Sequence, residues 1–263
     1  MNDSLTDKCR ICGSESNFAF SQPVLGRPVR YFDCGVCGYV QTETPYWLEK
    51  AYADPIDELD TGIMWRNGLN VSRVLNTLAA VHRLEGRVLD HAGGHGILVR
   101  MLRDAGVEAH WDDKYCRNIL SRGFEADDKP YDLVTAFEVF EHLEDPLREL
   151  EGMLTRAPHA LLSTELITSR QTPEASWWYY GPEHGQHVGF FREKTLDHLA
   201  QRLGCHHQTD GRSLHLFSRR PIPWSWQILQ RMPRAAHLVA RLRLRSKVWS
   251  DFEAIRRRRN NPL

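Results

Sequence analysis

The chain has 263 residues, 34 basic and 34 acidic side chains, 41% hydrophobic and 10% aromatic residues, enough for one sizeable core plus a small appendage and too aromatic for a disordered chain. No run approaches the roughly 18 apolar residues of a membrane span, and the start MNDSLTDKCR lacks the apolar stretch of a secretory signal, so a cytoplasmic protein is expected. The zero net charge is uneven: 12 Lys/Arg stand against 2 Asp/Glu from Arg219 onward, leaving 22 basic and 32 acidic residues before it.

Four of the six cysteines form two knuckles, Cys9-Arg-Ile-Cys12 and Cys34-Gly-Val-Cys37, each followed by a glycine, Gly13 and Gly38. Two Cys-x-x-Cys turns about twenty residues apart offer four sulfurs to one tetrahedral ion. Paired disulfides are the alternative, and a reducing cytoplasm disfavours them. Four thiolates leave no open coordination position, so the expected zinc is structural and staples residues 5–45 into a small ribbon whose own core is too small to fold alone.

Residues 46–86 read as helical, with Trp47, Leu48 and Tyr52, then Leu69, Val74, Leu75, Leu78 and His82 at three- and four-residue spacing, stopped by Gly86. Beyond it short apolar runs alternate with helical patterns: a strand at Val88-Leu89, a helix from Ile97 to Ala105, a strand from Glu108 to Trp111, a strand from Asp132 to Phe137, a helix near Pro146 to Leu154 and a strand from Ala160 to Thr164. A helix from Glu193 to Leu203 follows, and the strand Leu214 to Ser218 is expected to close the sheet edge. This alternation predicts a mostly parallel sheet with helices on both faces. Three segments are expected: a zinc ribbon (1–45), an α/β domain (46–218) and a basic helical tail (219–263).

The stretch Val88-Leu89-Asp90-His91-Ala92-Gly93-Gly94-His95-Gly96-Ile97 puts an acid at the end of a strand, then a glycine-dense turn and a helix start. Glycines let backbone approach a ligand, and the helix N-terminus offers free amides. The turn lacks the G-x-G-x-x-G phosphate fingerprint, and Asp90 precedes the glycines, where it can accept a hydrogen bond from an ammonium group. Asp112 and Asp113 end the next strand a little over twenty residues later, the distance at which an acid grips ribose hydroxyls. The bland reading makes Asp90 a helix cap.

The segment resembles motifs I and II of the class I S-adenosylmethionine-dependent methyltransferases. That resemblance implies a Rossmann-like sheet, S-adenosylmethionine as cofactor, Gly94 and Gly96 under its methionine part, Asp90 near its amino group and Asp113 on its ribose. It departs at Ala92, where the family commonly has its first glycine. Tyr131 to His142 resembles the family's fourth strand and the following helix start, where Glu138 and His142 would border the cofactor. Glu141 and His142 also read as no more than a helix first turn. Gly62 and Arg66 precede the sheet, where Arg66 either pairs with the cofactor carboxylate or forms a surface salt bridge.

The run from Trp177 to Phe191 sets aromatics beside Glu183, His184 and His187 in a loop broken by Gly181, Pro182 and Gly185. Such a loop beyond a strand end describes an acceptor pocket with titratable groups; an aromatic cluster holding down a lid is the plainer reading. The order of parts resembles the sugar methyltransferases, and more closely bacterial methyltransferases associated with polysaccharide synthesis. Only His187 carries over from the Tyr-His-Glu-His motif of the C-methylating members. The expected activity is methyl transfer to a small-molecule or glycan acceptor, with His187 the first choice for the base, His184 the second and Glu183 orienting one of them. RNA methylation is the alternative, through the ribbon and basic tail, although the acidic balance before Arg219 argues against a nucleic-acid partner. A peripheral membrane scaffold is the other: Ala235, Ala236, Leu238, Val239 and Leu242, after Pro233, lie beside Arg241, Arg243 and Arg245 in an amphipathic pattern, which equally fits apolar residues packed on the domain.

Overall fold

The computed structural model describes residues 5–52, 60–232 and 235–260, without the side chains of Ala236 and Val239. It begins with β1 (Thr6–Lys8), β2 (Glu15–Val24), β3 (Arg27–Asp33), β4 (Val40–Thr42), α1 (Leu48–Ala51) and α2 (Ile63–Ala80). The middle holds β5 (Arg87–His91), α3 (Ile97–Asp104), β6 (Glu108–Asp112), β7 (Leu133–Phe137), α4 (Pro146–Arg156) and β8 (His159–Ser163). Then come β9 (Gly189–Phe190), α5 (Glu193–Leu203), β10 (His206–Thr209), β11 (Leu214–Ser218), α6 (Ser225–Gln230), α7 (Ala235–Arg243) and α8 (Val248–Asn260).

Two sheets result. The six-stranded one runs β10-β11-β8-β7-β5-β6; β5 pairs in parallel with β6 and β7, and β10 pairs antiparallel with β11. All five residues of β8 are buried, as befits a strand covered on both faces. The five-stranded sheet runs β1-β2-β3-β4-β9, antiparallel throughout.

The expected α/β class therefore holds, and element ends agree to within a residue or two. Leu214–Ser218 is not the sheet edge, however; β11 lies inside and β10 takes the edge. The helical run expected across 46–86 is also divided. It contains the single turn α1, a stretch over 53–59 outside the described residues, and α2, which buries Val71, Val74, Leu75 and Leu78 on one stripe. That helix stops at Ala80, before Gly86. His82 enters the left-handed region at φ 55°, and the Arg83 amide reaches back to the Leu78 carbonyl at 2.7 Å, closing the helix in the manner of a glycine cap.

The chain divides into two compact units, Met1–Asp57 with Phe137–Thr155 and Leu162–Pro221, and Glu58–Ala136 with Arg156–Leu161 and Ile222–Leu263. The first is cored by Val29, Tyr31, Val40, Trp47, Tyr180, Val188 and Phe190. In the second, fully buried Trp226 of α6 donates its indole N–H to Thr77 Oγ1 of α2 at 3.0 Å. The basic C-terminal segment is thus packed, at least through α6 and α8: Asp251 of α8 is 3% exposed and accepts two 2.8 Å hydrogen bonds from Arg103 of α3, also 3% exposed. Arg100 adds a third at 2.9 Å, and the Arg103 guanidinium lies 3.7 Å from the centre of the Phe124 ring. Leu238 and Leu242 remain exposed, and Pro233 falls outside the described residues. No described helix is long and apolar enough to cross a membrane.

A fully buried, bidentate ion pair is costly to halve, because the remaining charge stays desolvated. Asp251→Ala should therefore lower the unfolding free energy by roughly 3–5 kcal/mol in denaturant titration, whereas removal of the exposed Arg257 side chain should change it by less than about 0.5 kcal/mol.

Candidate functional site

The second unit carries the glycine turn. The apolar run of β5 ends in Asp90, 4% exposed, whose Oδ1 accepts the Thr135 hydroxyl of β7 at 2.7 Å. Burial pushes this carboxyl up to about 7, with the Thr135 hydroxyl and His91 opposing the rise. The backbone then turns through left-handed residues at Ala92 (φ 54°), Gly94 (55°) and Gly96 (84°). Ala92 adopts the conformation a glycine would take there, at a cost of roughly 1–2 kcal/mol. A side chain at Gly93 would put a Cβ 2.8 Å from Asp90 Oδ2, so the turn is wrapped closely over the acid.

Asp113 folds back onto the same turn. Its Oδ2 accepts the Gly94 amide at 2.8 Å, while Oδ1 accepts the amides of Tyr115 and Cys116, each at 2.7 Å. The Trp111 indole N–H bonds the Gly94 carbonyl at 2.8 Å. Asp112 instead faces His91 Nδ1 at 3.6 Å. The structure thus brings Asp90, Gly94 and Asp113 together, with Gly96 opening α3. Arg66 is held by Asp60 at 2.5 Å, the salt bridge of the two sequence alternatives, and Gly62 lies beneath its guanidinium.

In the first unit, Glu138 follows directly on β7 with φ 55°. Its amide donates to Ser163 Oγ at 2.8 Å, and that hydroxyl returns a bond to Glu138 Oε1 at 2.5 Å. Glu141 is completely buried, which no solvated first-turn acid would be. Its Oε1 accepts the Tyr179 hydroxyl at 2.7 Å, and burial with the nearby Glu138 charge pushes it up to about 8. His142 and His187 stand edge-on with ring centres 4.8 Å apart, and His184 packs on His187 at 4.7 Å.

Ring nitrogens here have distinct duties. A carbonyl can only accept, so the 2.5 Å contact of His187 Nδ1 with the Tyr179 carbonyl places the proton on Nδ1 and leaves Nε2 a lone pair. His184 shows the opposite arrangement: its Nδ1 accepts the Gln186 amide at 3.1 Å. Burial lowers His187 to about 3 and His142 well below the usual histidine range, so both are neutral. Glu183 is exposed; the group orienting His187 is the Tyr179 carbonyl.

Sequence reasoning placed Glu141 only as a helix-turn residue and did not single out Tyr179. The available signal was Glu138, Glu141 and His142 within five residues of an apolar strand. Trp177 belongs to the aromatic packing, with ring centres 5.1 Å from Tyr180, whereas Trp178 is 71% exposed. An open groove of about 930 Å³ in the same unit, lined by Asn17, Asp33, Thr172, Arg192 and Lys194 among others, shares no lining residue with the histidine cluster. Its Asp33 and Arg192 are already paired with each other at 2.9 Å, whereas the histidine cluster sets neutral imidazoles beside a buried carboxyl, so the chemistry favours the latter.

The four knuckle cysteines also meet in this unit. Cys9 and Cys37 sulfurs lie 3.5 Å apart, Cys12 and Cys34 3.4 Å, and all four fall within 4.8 Å of one another. Tetrahedral Zn–S bonds of about 2.3 Å require sulfurs roughly 3.8 Å apart, so the cluster fits such an ion. All are free thiols, excluding the disulfide alternative in this structure.

A family model described as "Methyltransferase domain" matches residues 64–208, more than half of the chain. No curated protein matches the sequence. Solved structures similar to the chain include TnmH, at TM-score 0.41 and 17% identity over 66% of this chain and 61% of that one. An O-methyltransferase family 2 protein from Planctomyces limnophilus in complex with apigenin has TM-score 0.41 and 13% identity over 57% and 62%. Magnesium protoporphyrin IX methyltransferase from Synechocystis with bound SAH has TM-score 0.43 and 18% identity over 65% and 90%. The chain therefore spans less than two thirds of the length of the first two.

Asp90 provides a pH test. Its folded value lies above the unfolded one of 3.8, so the fold binds its proton more tightly and stability falls as pH rises from about 4 to about 7. Asp90→Asn should remove that fall. Denaturant titration should find the variant more stable than the parent at pH 8 by roughly 1–4 kcal/mol, with little difference at pH 4.

Proposed function

Because this chain belongs to the methyltransferase-domain family, whose S-adenosylmethionine-dependent domain it carries over residues 64–208, we propose that it transfers a methyl group from S-adenosylmethionine to a hydroxyl of a small-molecule or glycan acceptor, a sugar hydroxyl by preference. The observation that carries the donor half is the buried Asp90 carboxyl wrapped by a left-handed turn. Asp90 receives the ammonium end of the cofactor, and ionises as it does so because the positive charge offsets its desolvation. Gly94 lies under the methionine part, Gly96 lacks a side chain because Ser121 and Asn118 occupy that space, and Asp113 serves the ribose end.

The methyl donor is a sulfonium already activated for displacement. Attack by the acceptor oxygen on the methyl carbon forms the C–O bond while the C–S pair returns to sulfur, and the hydroxyl proton passes to His187 Nε2. The chain's work is to hold two substrates in line and exclude water. His187 engages the acceptor hydroxyl through Nε2, with its tautomer fixed by Tyr179. His184, whose Nδ1 accepts an amide and whose Nε2 lies against Gly181, packs on the His187 ring. A zinc ion on Cys9, Cys12, Cys34 and Cys37 is structural, since all four positions are filled by thiolates.

Replacing His187 by Ala should leave S-adenosylhomocysteine affinity within about threefold of the parent and lower turnover by roughly 10²–10⁴-fold, measured by calorimetry and by transfer of labelled methyl to candidate sugars. Unchanged turnover would remove His187 from the chemistry. Cys34→Ser should release the thiolate-bound ion, read as loss of the thiolate-to-metal absorption of the cobalt-substituted protein, and should lower thermal stability.

A further inference from the structure

Glu141, His142 and His187 each offer a ligand atom within 4.8 Å of the other two. They come from separate parts of the chain, the turn after β7 and the loop before β9, and one is completely buried. From this geometry we propose that they form a second metal centre, a divalent-cation site of two imidazoles and one carboxylate, distinct from the cluster of thiols.

Three observations converge on it. Glu141 Oε2 and His142 Nδ1 are buried without a hydrogen-bond partner. Buried polar atoms are nearly always satisfied, and a bound ion accounts for two orphans in adjacent residues. The outer contacts are those of a ligating set. Tyr179 alone supplies two: its hydroxyl donates to Glu141 Oε1 at 2.7 Å, and its carbonyl accepts from His187 Nδ1, directing the Nε2 lone pair away. Metal-bound histidines typically donate their other N–H to a carbonyl or carboxylate in this way. The donor set is also selective. Two neutral imidazoles and a carboxylate suit zinc, manganese or ferrous iron and leave coordination positions open for a substrate oxygen.

An ion at about 2.0–2.2 Å from each ligand would set the three atoms roughly 3–4 Å apart, within the 4.8 Å over which they already lie. The Glu141 carboxyl, raised by burial, ionises when the cation arrives and loses its proton to solvent. The task of the ion rests on the methyl-transfer reading: held by Glu141, His142 and His187, it would act as a Lewis acid on the acceptor hydroxyl, whose proton would pass to solvent. With the ion bound, His187 Nε2 would serve as its ligand in place of direct contact with the hydroxyl.

The test uses the full chain with its thiolate site loaded with zinc. Mn²⁺ is titrated in and the loss of the free-ion electron-paramagnetic signal is followed; Zn²⁺ and Co²⁺ are titrated in parallel, with Co²⁺ on N/O ligands distinguished by weak d–d bands without the intense thiolate absorption. The parent should bind about one equivalent beyond the thiolate-bound zinc, and Glu141→Gln and His142→Ala should each abolish this. Tyr179→Phe, which keeps the carbonyl and loses the hydroxyl, should weaken binding by roughly 10- to 100-fold. S-adenosylhomocysteine calorimetry on the same samples reports folding and the donor site independently. If donor binding persists and no ion is held more tightly by the parent than by Glu141→Gln, the metal centre is overturned while the methyltransferase reading stands. Absence of donor binding from protein that still takes up Mn²⁺ would do the reverse.

Discussion

A carboxyl group is buried at the end of β5, and the glycine turn is organised around it. Asp90 is reached by one hydroxyl, Thr135, and lies beneath a backbone so close that Gly93 has no room for a side chain. An uncompensated carboxylate in that position is expensive, hence its elevated pKa. The protein accepts left-handed backbone at Ala92 as well as at two glycines to keep the turn in place. Such local cost is retained where the surrounding structure over-determines it, and a ligand with a positive end would relieve it. Asp113 secures the far side of the turn through the Gly94 amide, so one acid is desolvated while the other is engaged with backbone.

The fold was legible because its strands are short apolar runs set between helical patterns, with glycines at the turns. Asp90, Gly94 and Asp113 were legible for a related reason: their spacing along the chain reflects a strand, a turn, a helix and a second strand, all local. The knuckle cysteines were readable from spacing alone, as two-residue gaps force both sulfurs to one side of a turn. What could not be read was whatever depends on distant partners. Arg103 and Asp251 look like ordinary surface charges in sequence, yet the two are mutually buried. The C-terminal charge excess therefore suggested a tail, while α8 is fastened by a carboxylate within that basic stretch. Similarly, periodicity extended the helix to Gly86 because it carries no information about a left-handed His82.

The histidine cluster shows the same limit at the candidate site. Glu141 and Tyr179 are separated by an entire strand and helix, and neither residue type announces a partner. Only the fold shows that one tyrosine fixes a carboxylate through its hydroxyl and an imidazole through its carbonyl. Adjacency in a broken loop does not set direction: Glu183 is exposed, and the His184 ring lies over Gly181, where a Cβ would collide with its Nε2.

The thiol ribbon acquires a purpose from this arrangement. Its sheet takes β9 as a fifth strand, Val40 and Gln41 pairing with Phe190 and Gly189. Just before that strand, the Val188 carbonyl accepts the Thr42 amide at 3.0 Å and the Arg10 guanidinium at 2.5 Å, while the Val188 amide donates to the Glu141 carbonyl at 2.8 Å. His187 is thus one residue from a junction where the first knuckle, the ribbon sheet and the Glu141 turn are bonded together. Gly189 permits the approach, since any side chain there would strike the Tyr39 hydroxyl. A four-sulfur ion would do no chemistry itself. By holding β4 and the first knuckle rigid it would keep the loop from Tyr179 to Phe190 in one register, and a pocket loop rich in Gly and Pro has few other means of staying within the tolerance that in-line transfer demands.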